Sequence, residues 1–247
     1  MGYGLYLYGI FPAPGPQGLA ITGLDQQPVQ AQQVDDFVFL YSEAQQERYL
    51  ASRKNLLGHE RALEQAMQAG YRTLLPLQFG LIIADWGDVR EQLTTPHGDS
   101  LQQLFSKLDG KREVGIKIFW QQDSELQMLL EEKPDLKAQR DNLEGKNLSM
   151  DEVVSIGQAI ERALAEQKQS IIQAFRARLN PFAVEVVEND TLTESMIYNA
   201  AYLISWEAEP DFGAQVEGLD QQFSDRLTIR YNNFTAPYNF AQLDRLG

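Results

Sequence analysis

Glu113-Val-Gly-Ile-Lys-Ile-Phe-Trp120 is the clearest strand in the chain: Val114, Ile116, Ile118 and Trp120 alternate with Gly115, Lys117 and Phe119. A period of two puts successive side chains on opposite faces of a pleated backbone. Downstream, Ser149 with Glu152 three residues later forms a capping box, and Asp151 and Glu152 suit the positive end of a helix dipole. Val153, Ile156, Ile160, Leu164, Ile171, Phe175 and Leu179 then hold one face of a long helix until Asn180-Pro181 stops it. At 1.5 Å per residue that helix is a rod of roughly 45 Å. Residues 182–187 and 196–206 read as strands around a turn at Asn189-Asp190, about 210–223 as a helix, and 227–231 as a last strand. From Glu113 onward the order is strand, helix, strand, strand, helix, strand. That is the βαββαβ order of a ferredoxin-like split βαβ sandwich, with helices on one face of an antiparallel sheet.

Upstream, residues 3–11 are rich in Tyr, Leu and Ile and run into a Pro/Gly loop, which reads as a strand. Shorter β pieces follow at 19–22 and 29–33, and 37–41 (FVFLY) has the continuous apolar character of a buried strand. A helix comes next. Tyr49, Leu56 and Leu63 repeat every seven residues, Leu50, Leu57, Ala66 and Met67 widen the stripe, and Gly70 ends it. Residues 74–79 around Pro76 are extended, and a second helix covers about 88–108, with Thr94-Thr95-Pro96-His97-Gly98 as a possible break. The polar stretch 121–146 reads as an elaborated crossover whose short helix at Leu126 and Met128–Leu130 is stopped by Pro134. The expected class is α+β in two domains: residues 1–110 form a smaller α+β unit, and 111–247 form the ferredoxin-like domain. An extended aromatic tail from about 232 to 247 completes the second domain.

Composition narrows the function. The 247 residues carry a net charge of −14, with a pI near 4.6 and no cysteine. Disulfides, thiolate metal sites and a cysteine nucleophile are excluded. The acidic field repels phosphate backbones and anionic lipid, so neither nucleic acid nor membrane is an expected partner. The densest basic group, Lys107, Lys111, Arg112 and Lys117, is interleaved with Asp109 and Glu113. Pro12, Pro14 and Pro16 break the apolar N-terminus well short of a membrane span, and no basic n-region precedes it. A cytoplasmic protein is expected, and the sequons at Asn147, Asn189 and Asn233 read as chance matches.

No catalytic, cofactor-binding or metal site assembles from the residue pattern. The histidines are His59 and His97, and no Gly-x-Ser-x-Gly elbow accompanies them. His59, beside Glu60 and Arg61, reads as an exposed helix residue, and His97 as a loop or cap residue. Leu63 stands where H-E-x-x-H would need its second histidine. Glu185, Glu188 and Asp190 lack the spacing of a hard-cation loop, and Gly9, Gly15 and Gly18 lack the Lys-Ser/Thr of a phosphate loop. Ferredoxin-like units host many activities, so a small-ligand or enzymatic module is the alternative reading. Tyr198, Tyr202, Trp206 and His97 are its candidate pocket residues. The tail, from Tyr231 through Phe234 and Pro237 to Tyr238 and Phe240, supplies aromatics suited either to packing back on the domain or to facing a partner.

Five segments in order, Tyr6-Leu-Tyr-Gly-Ile10, Leu75-Pro-Leu-Gln-Phe-Gly80, Gly110-Lys-Arg-Glu-Val-Gly-Ile-Lys-Ile-Phe-Trp120, Asn199-Ala-Ala-Tyr-Leu-Ile204 and Pro237-Tyr-Asn-Phe240, span nearly the whole chain. Together they resemble the gas vesicle protein F/L family. One departure is Phe234-Thr-Ala before Pro237, where the family often has a Gly-Pro or doubled-proline run. The resemblance implies an accessory protein of gas vesicle assembly and not an enzyme. It would bind the small hydrophobic shell protein, help nucleation, prevent aggregation, and contact other gas vesicle accessory proteins. It also implies a place at the gas vesicle, with a soluble cytoplasmic pool, and no cofactor. The N-terminal half is expected to take part in binding. A charge of −14 suits a molecule that must cover greasy surface and stay dissolved.

Overall fold

The structure, a computed structural model, describes residues 2–141 and 149–242. The sequon at Asn147 and residues 243–247 of the expected tail lie outside the described residues. Packing contacts divide the chain into two compact units that are not continuous in sequence. The first takes the residues up to Val114, Leu203–Glu207 and the segment from Asn233 onward; the second takes Gly115–Tyr202 and Ala208–Asn232. The linear expectation had cut the chain once, at 110/111, and kept the tail with the second domain.

The first unit is built on β1 (Leu5–Pro12), whose residues Tyr6 to Phe11 are all buried. β2 (Ile21–Thr22), β3 (Pro28–Val34), β4 (Phe37–Glu43) and, beyond α1 (Arg53–Gln68), β5 (Leu75–Pro76) complete a sheet ordered β2-β3-β4-β1-β5. β6 (Ile82–Ile83) also pairs with β1. β1 runs antiparallel to β4 from Leu5↔Glu43 to Pro12↔Phe37, with a register break between Leu7 and Gly9. A Cβ at Gly9 would lie 2.7 Å from the Leu63 side chain of α1. The missing side chain is therefore what lets this helix sit so close to the sheet.

α1 starts at Ser52, whose hydroxyl accepts the Asn55 N–H at 3.3 Å. It buries His59, Ala62, Leu63, Ala66 and Met67. This corrects the heptad reading: Leu56 is 43% exposed and Leu50 precedes the helix at 76%. Tyr49 reaches the core from the preceding loop, and the buried stripe begins only at His59. α2 (Trp86–Val89), one π-helical turn at Arg90–Thr94 and α3 (Thr95–Leu108) follow one another directly. The Thr94–Gly98 stretch does not break the helix: the π-helical turn Arg90–Thr94, closed by the Thr95 N–H donating to Arg90 O, runs straight into α3 with Pro96 as its second residue.

The four-stranded sheet uses β7 (Lys111–Trp120) and, after the helices α4 (Gln122–Glu132), α5 (Pro134–Asp141) and α6 (Met150–Leu179), β8 (Ala183–Glu188) and β9 (Met196–Ser205). α7 (Glu209–Phe223) and β10 (Leu227–Thr235) end the series. The strand order is β10-β7-β9-β8. First and last strands are neighbours and β9 separates β7 from β8, which is the split βαβ arrangement expected from the sequence. The Trp120 N–H donates to Ser195 O at 2.9 Å and the Trp206 N–H to Gly110 O at 3.1 Å, so β7 and β9 are antiparallel.

The capping box at the start of α6 is present, with Ser149 Oγ accepting from the Glu152 N–H and Glu152 Oε2 from the Ser149 N–H. Burial along α6 starts later than expected. Val153 is 42% exposed, and the fully buried residues run from Ala163 to Leu179. Phe175 stacks on Phe223 of α7 with centroids 5.7 Å apart. Buried Glu125 of α4 accepts a two-pronged bond from Arg226 at 2.9 and 2.7 Å and a third from Gln167 at 2.6 Å. The last strand extends to Thr235, so residues 232–235 belong to it and not to a tail.

Candidate functional site

His59 tests whether the first unit holds a reactive group. Contrary to expectation, it is buried, at 2% exposure. Its Nε2 lies 3.1 Å from Leu77 O, which can only accept, so Nε2 carries the proton. Nδ1 then accepts from the Tyr6 hydroxyl at 2.8 Å, and that oxygen accepts the Gly80 N–H at 3.2 Å. The Tyr8 ring stacks on the imidazole and Phe79 and Tyr6 meet it edge-on. Burial in this aromatic box pushes the His59 pKa down to about 4. Every polar valence of the ring is matched, so the cluster ties β1, α1 and the 77–80 segment together and leaves no nitrogen for a substrate.

The tail is the second test. Ala236 and Phe240 are fully buried, and Phe240 lies beneath the Lys107 ammonium, 5.7 Å from its ring centre. Asn239 donates its backbone N–H and its side-chain amide to the two oxygens of Glu113, at 2.8 and 2.6 Å. Burial raises the Glu113 pKa to about 7, against the lowering pull of those two bonds. Burial also raises Tyr238, with Glu60, Tyr6, Glu64 and Glu113 adding to the effect. These residues pack inward, but within the first unit and not on the ferredoxin-like domain to which the sequence reading assigned the tail.

The four pocket candidates are engaged separately. In the second unit Tyr198 and Tyr202 share a hydroxyl–hydroxyl bond of 3.1 Å, and Tyr198 donates to Glu188. Tyr202 packs edge-on against Phe212. In the first unit Trp206 is clasped by the guanidinium groups of Arg72 and Arg112, 4.5 and 4.3 Å from its ring centre. His97 lies in the first turn of α3 and lines an apolar cavity of about 30 Å³ with Ile10, Leu75 and Leu101. That is room for one water, far below a small-molecule site. Glu188, weighed as a metal ligand, is held by Arg176 at 2.6 and 2.7 Å, which lowers its pKa. Among the described residues no group of three acids or histidines is arranged to hold a metal, and no helix is long and apolar enough to cross a membrane.

What the surface offers is contact area. Leu56 and Leu57 lie outward on α1, Met150, Val153 and Val154 at the start of α6, and Val184 on β8. β8 occupies one end of the four-stranded order, with β9 as its neighbour. Sequence reasoning missed all three surfaces because it assigned Leu56 and Val153 to buried stripes and gave no strand order at the sheet edge.

Comparison with known proteins gives similarity along nearly the whole chain. Residues 4–242 match the family model of the gas vesicle synthesis protein GvpL/GvpF. "Gas vesicle protein F" of Dolichospermum flosaquae is 62% identical over 240 residues, covering 97% of this chain and 98% of the relative. Its namesake in Microcystis aeruginosa (strain PCC 7806) is 58% identical over 243 residues, covering 98% and 100%. The crystal structure of GvpF from Anabaena sp. PCC7120 superposes with a TM-score of 0.89 at 58% identity, covering 97% of this chain and 98% of that one. A sequence match along nearly the whole length, together with the same fold, makes this chain a member of the GvpL/GvpF family of gas vesicle proteins.

Proposed function

We propose that this protein is an accessory factor of gas vesicle assembly that binds the small hydrophobic shell protein, keeps it from aggregating and helps nucleate the vesicle. The observation that carries the reading is the full-length match to gas vesicle protein F relatives. The geometry supports it in a second way. The buried titratable groups His59, Glu113 and Glu125 are each engaged within their own unit, whereas apolar side chains on α1, α6 and β8 are left outward. A shell subunit with a gas-facing wall presents apolar surface that aggregates in water, so it needs a partner offering contact area more than chemistry. Other gas vesicle accessory proteins are further partners under this reading. The protein would reside at the gas vesicle with a dissolved cytoplasmic pool, and its charge of −14 would help keep shell-loaded complexes apart. Deleting the gene and counting vesicles by electron microscopy tests the role. Vesicles should be lost and return on complementation with the full chain; normal vesicle number and shape would overturn it.

A further inference from the structure

We infer that the free edge of β8 is the site at which a strand of the shell protein adds to the four-stranded sheet. This inference rests on the proposed shell-binding role and gives it a location. The Asn189 N–H donates to Asn199 O of β9 at 2.8 Å, which fixes the phase of the β8–β9 ladder. In an antiparallel pair every second residue turns its N–H and C=O to the same neighbour. Val187, Glu185 and Ala183 therefore face β9, and the backbone groups of Val184, Val186 and Glu188 face outward. β8 is the end strand of its sheet among the described residues, so these groups form a ready template for an added strand.

Among the described residues the other sheet edges are short or polar, whereas β8 carries three valines. β2 and β5 are two residues long. β3 beyond Val29, where β2 stops pairing, carries Gln30, Gln32 and Gln33. β10, at the opposite end of the same sheet, carries Arg230, Asn232 and Asn233. β8 reads Ala183-Val-Glu-Val-Val-Glu188, without lysine or proline, and leaves Val184 68% exposed. Short strands, lysines and prolines are among the devices by which edges avoid pairing; β8 has six residues and neither lysine nor proline, its charges being Glu185 and Glu188.

The edge also describes its occupant. Backbone donors and acceptors at a two-residue spacing are satisfied by an extended segment, not by a helix. Val184 and Val186 call for apolar side chains on the same face of that segment. Glu188 is paired with Arg176, and Asp190 and Glu194 beyond the strand leave this end of the edge acidic, which repels a carboxylate-bearing strand and favours one flanked by Lys or Arg. A second copy of this chain would bring the same carboxylates and a further charge of −14.

Hydrogen exchange of the full-length chain, alone and with purified shell protein, tests the site. Bound shell protein should slow exchange at the outward amides of Val184, Val186 and Glu188, while those of Glu185 and Val187 are already protected by β9. Val186→Pro removes an outward N–H and keeps the β9 ladder, and Val184→Lys guards the edge at an exposed position. Each should weaken shell binding by about tenfold or more, the loss expected for one or two strand-addition contacts. If Val186→Pro fails to fold, Val184→Lys still decides. Shell protein bound at full affinity by Val184→Lys, with no new protection at these amides, overturns the β8 site and leaves the shell-binding role standing. Failure of the wild-type chain to bind shell protein overturns both. Protection of these amides in the chain alone, at the mass of a dimer, assigns the edge to self-pairing and overturns the inference.

Discussion

In the first unit polar groups are turned inward and matched, whereas in the second a run of backbone groups is turned outward and left open. Tyr6, His59 and Gly80 close one chain of hydrogen bonds beneath β1, and Glu113 closes another around Asn239. The end strands of that sheet are two residues each. The second unit matches its buried charge too, with Arg226 and Gln167 on Glu125, yet ends its sheet in a six-residue strand with an exposed valine. The difference teaches where each part of the molecule has something left to give. A satisfied interior specifies shape; an unsatisfied edge recruits a partner.

The comparison can be broken first at the core of the second unit. Phe175, fully buried and stacked on Phe223, should cost about 4 kcal/mol as Phe175→Ala, measured by urea unfolding. A loss below about 1 kcal/mol would mean that the sheet and helices of this unit are loosely packed, and β8 would then be no fixed template.

Acid titration sharpens the picture of the first unit, because its two buried groups oppose one another. Glu113 has a folded pKa of about 7 against 4.5 unfolded, so the folded chain holds the proton more tightly and stability is lost as pH rises from 4.5 to 7. His59 has a folded pKa of about 4 against 6.5 unfolded, so its contribution is lost as pH falls from 6.5 to 4. Each effect amounts to about 3 kcal/mol, and between pH 4.5 and 6.5 they run in opposite directions. Relative to wild type, Glu113→Gln should gain stability as pH rises through its window, and His59→Gln should gain as pH falls through its own. Parallel pH profiles for wild type and Glu113→Gln would show that the tail latch is not closed around a buried carboxyl.

A smaller effect belongs to α6. Ser149→Ala removes one half of the capping box and should cost about 1 kcal/mol, seen as faster amide exchange in the first turn. Smallest is Val184→Lys, which should change unfolding stability by less than about 0.5 kcal/mol, because the side chain is already in solvent. A large loss of stability there would move β8 from the open edge into the packed interior.

Much of the fold was legible because local signals and tertiary packing agree. The alternation in 113–120, the Ser149–Glu152 cap and the Asn180-Pro181 stop each predicted an element that formed, and the strand order β10-β7-β9-β8 is compatible with the βαββαβ element order without being dictated by it. What failed were judgements about cover. Leu56 and Val153 have the right helical spacing for a buried stripe, yet periodicity says which face is apolar, not how far along the helix a neighbour extends. His59 next to Glu60 and Arg61 looked exposed, since its partners Tyr6 and Leu77 lie 53 and 18 residues away. The Glu113–Asn239 bond, across 126 residues, was equally invisible. The β8 edge was missed for the same reason: its openness is a property of the sheet and not of the strand.

The central claim is that this chain works by covering the shell protein. Its most direct test is to dilute shell protein from denaturant into buffer with and without the purified full-length chain, following light scattering and the composition of the soluble fraction. The account predicts suppressed scattering and a soluble complex containing both proteins. Unchanged aggregation, with the two proteins separating on gel filtration, would contradict it.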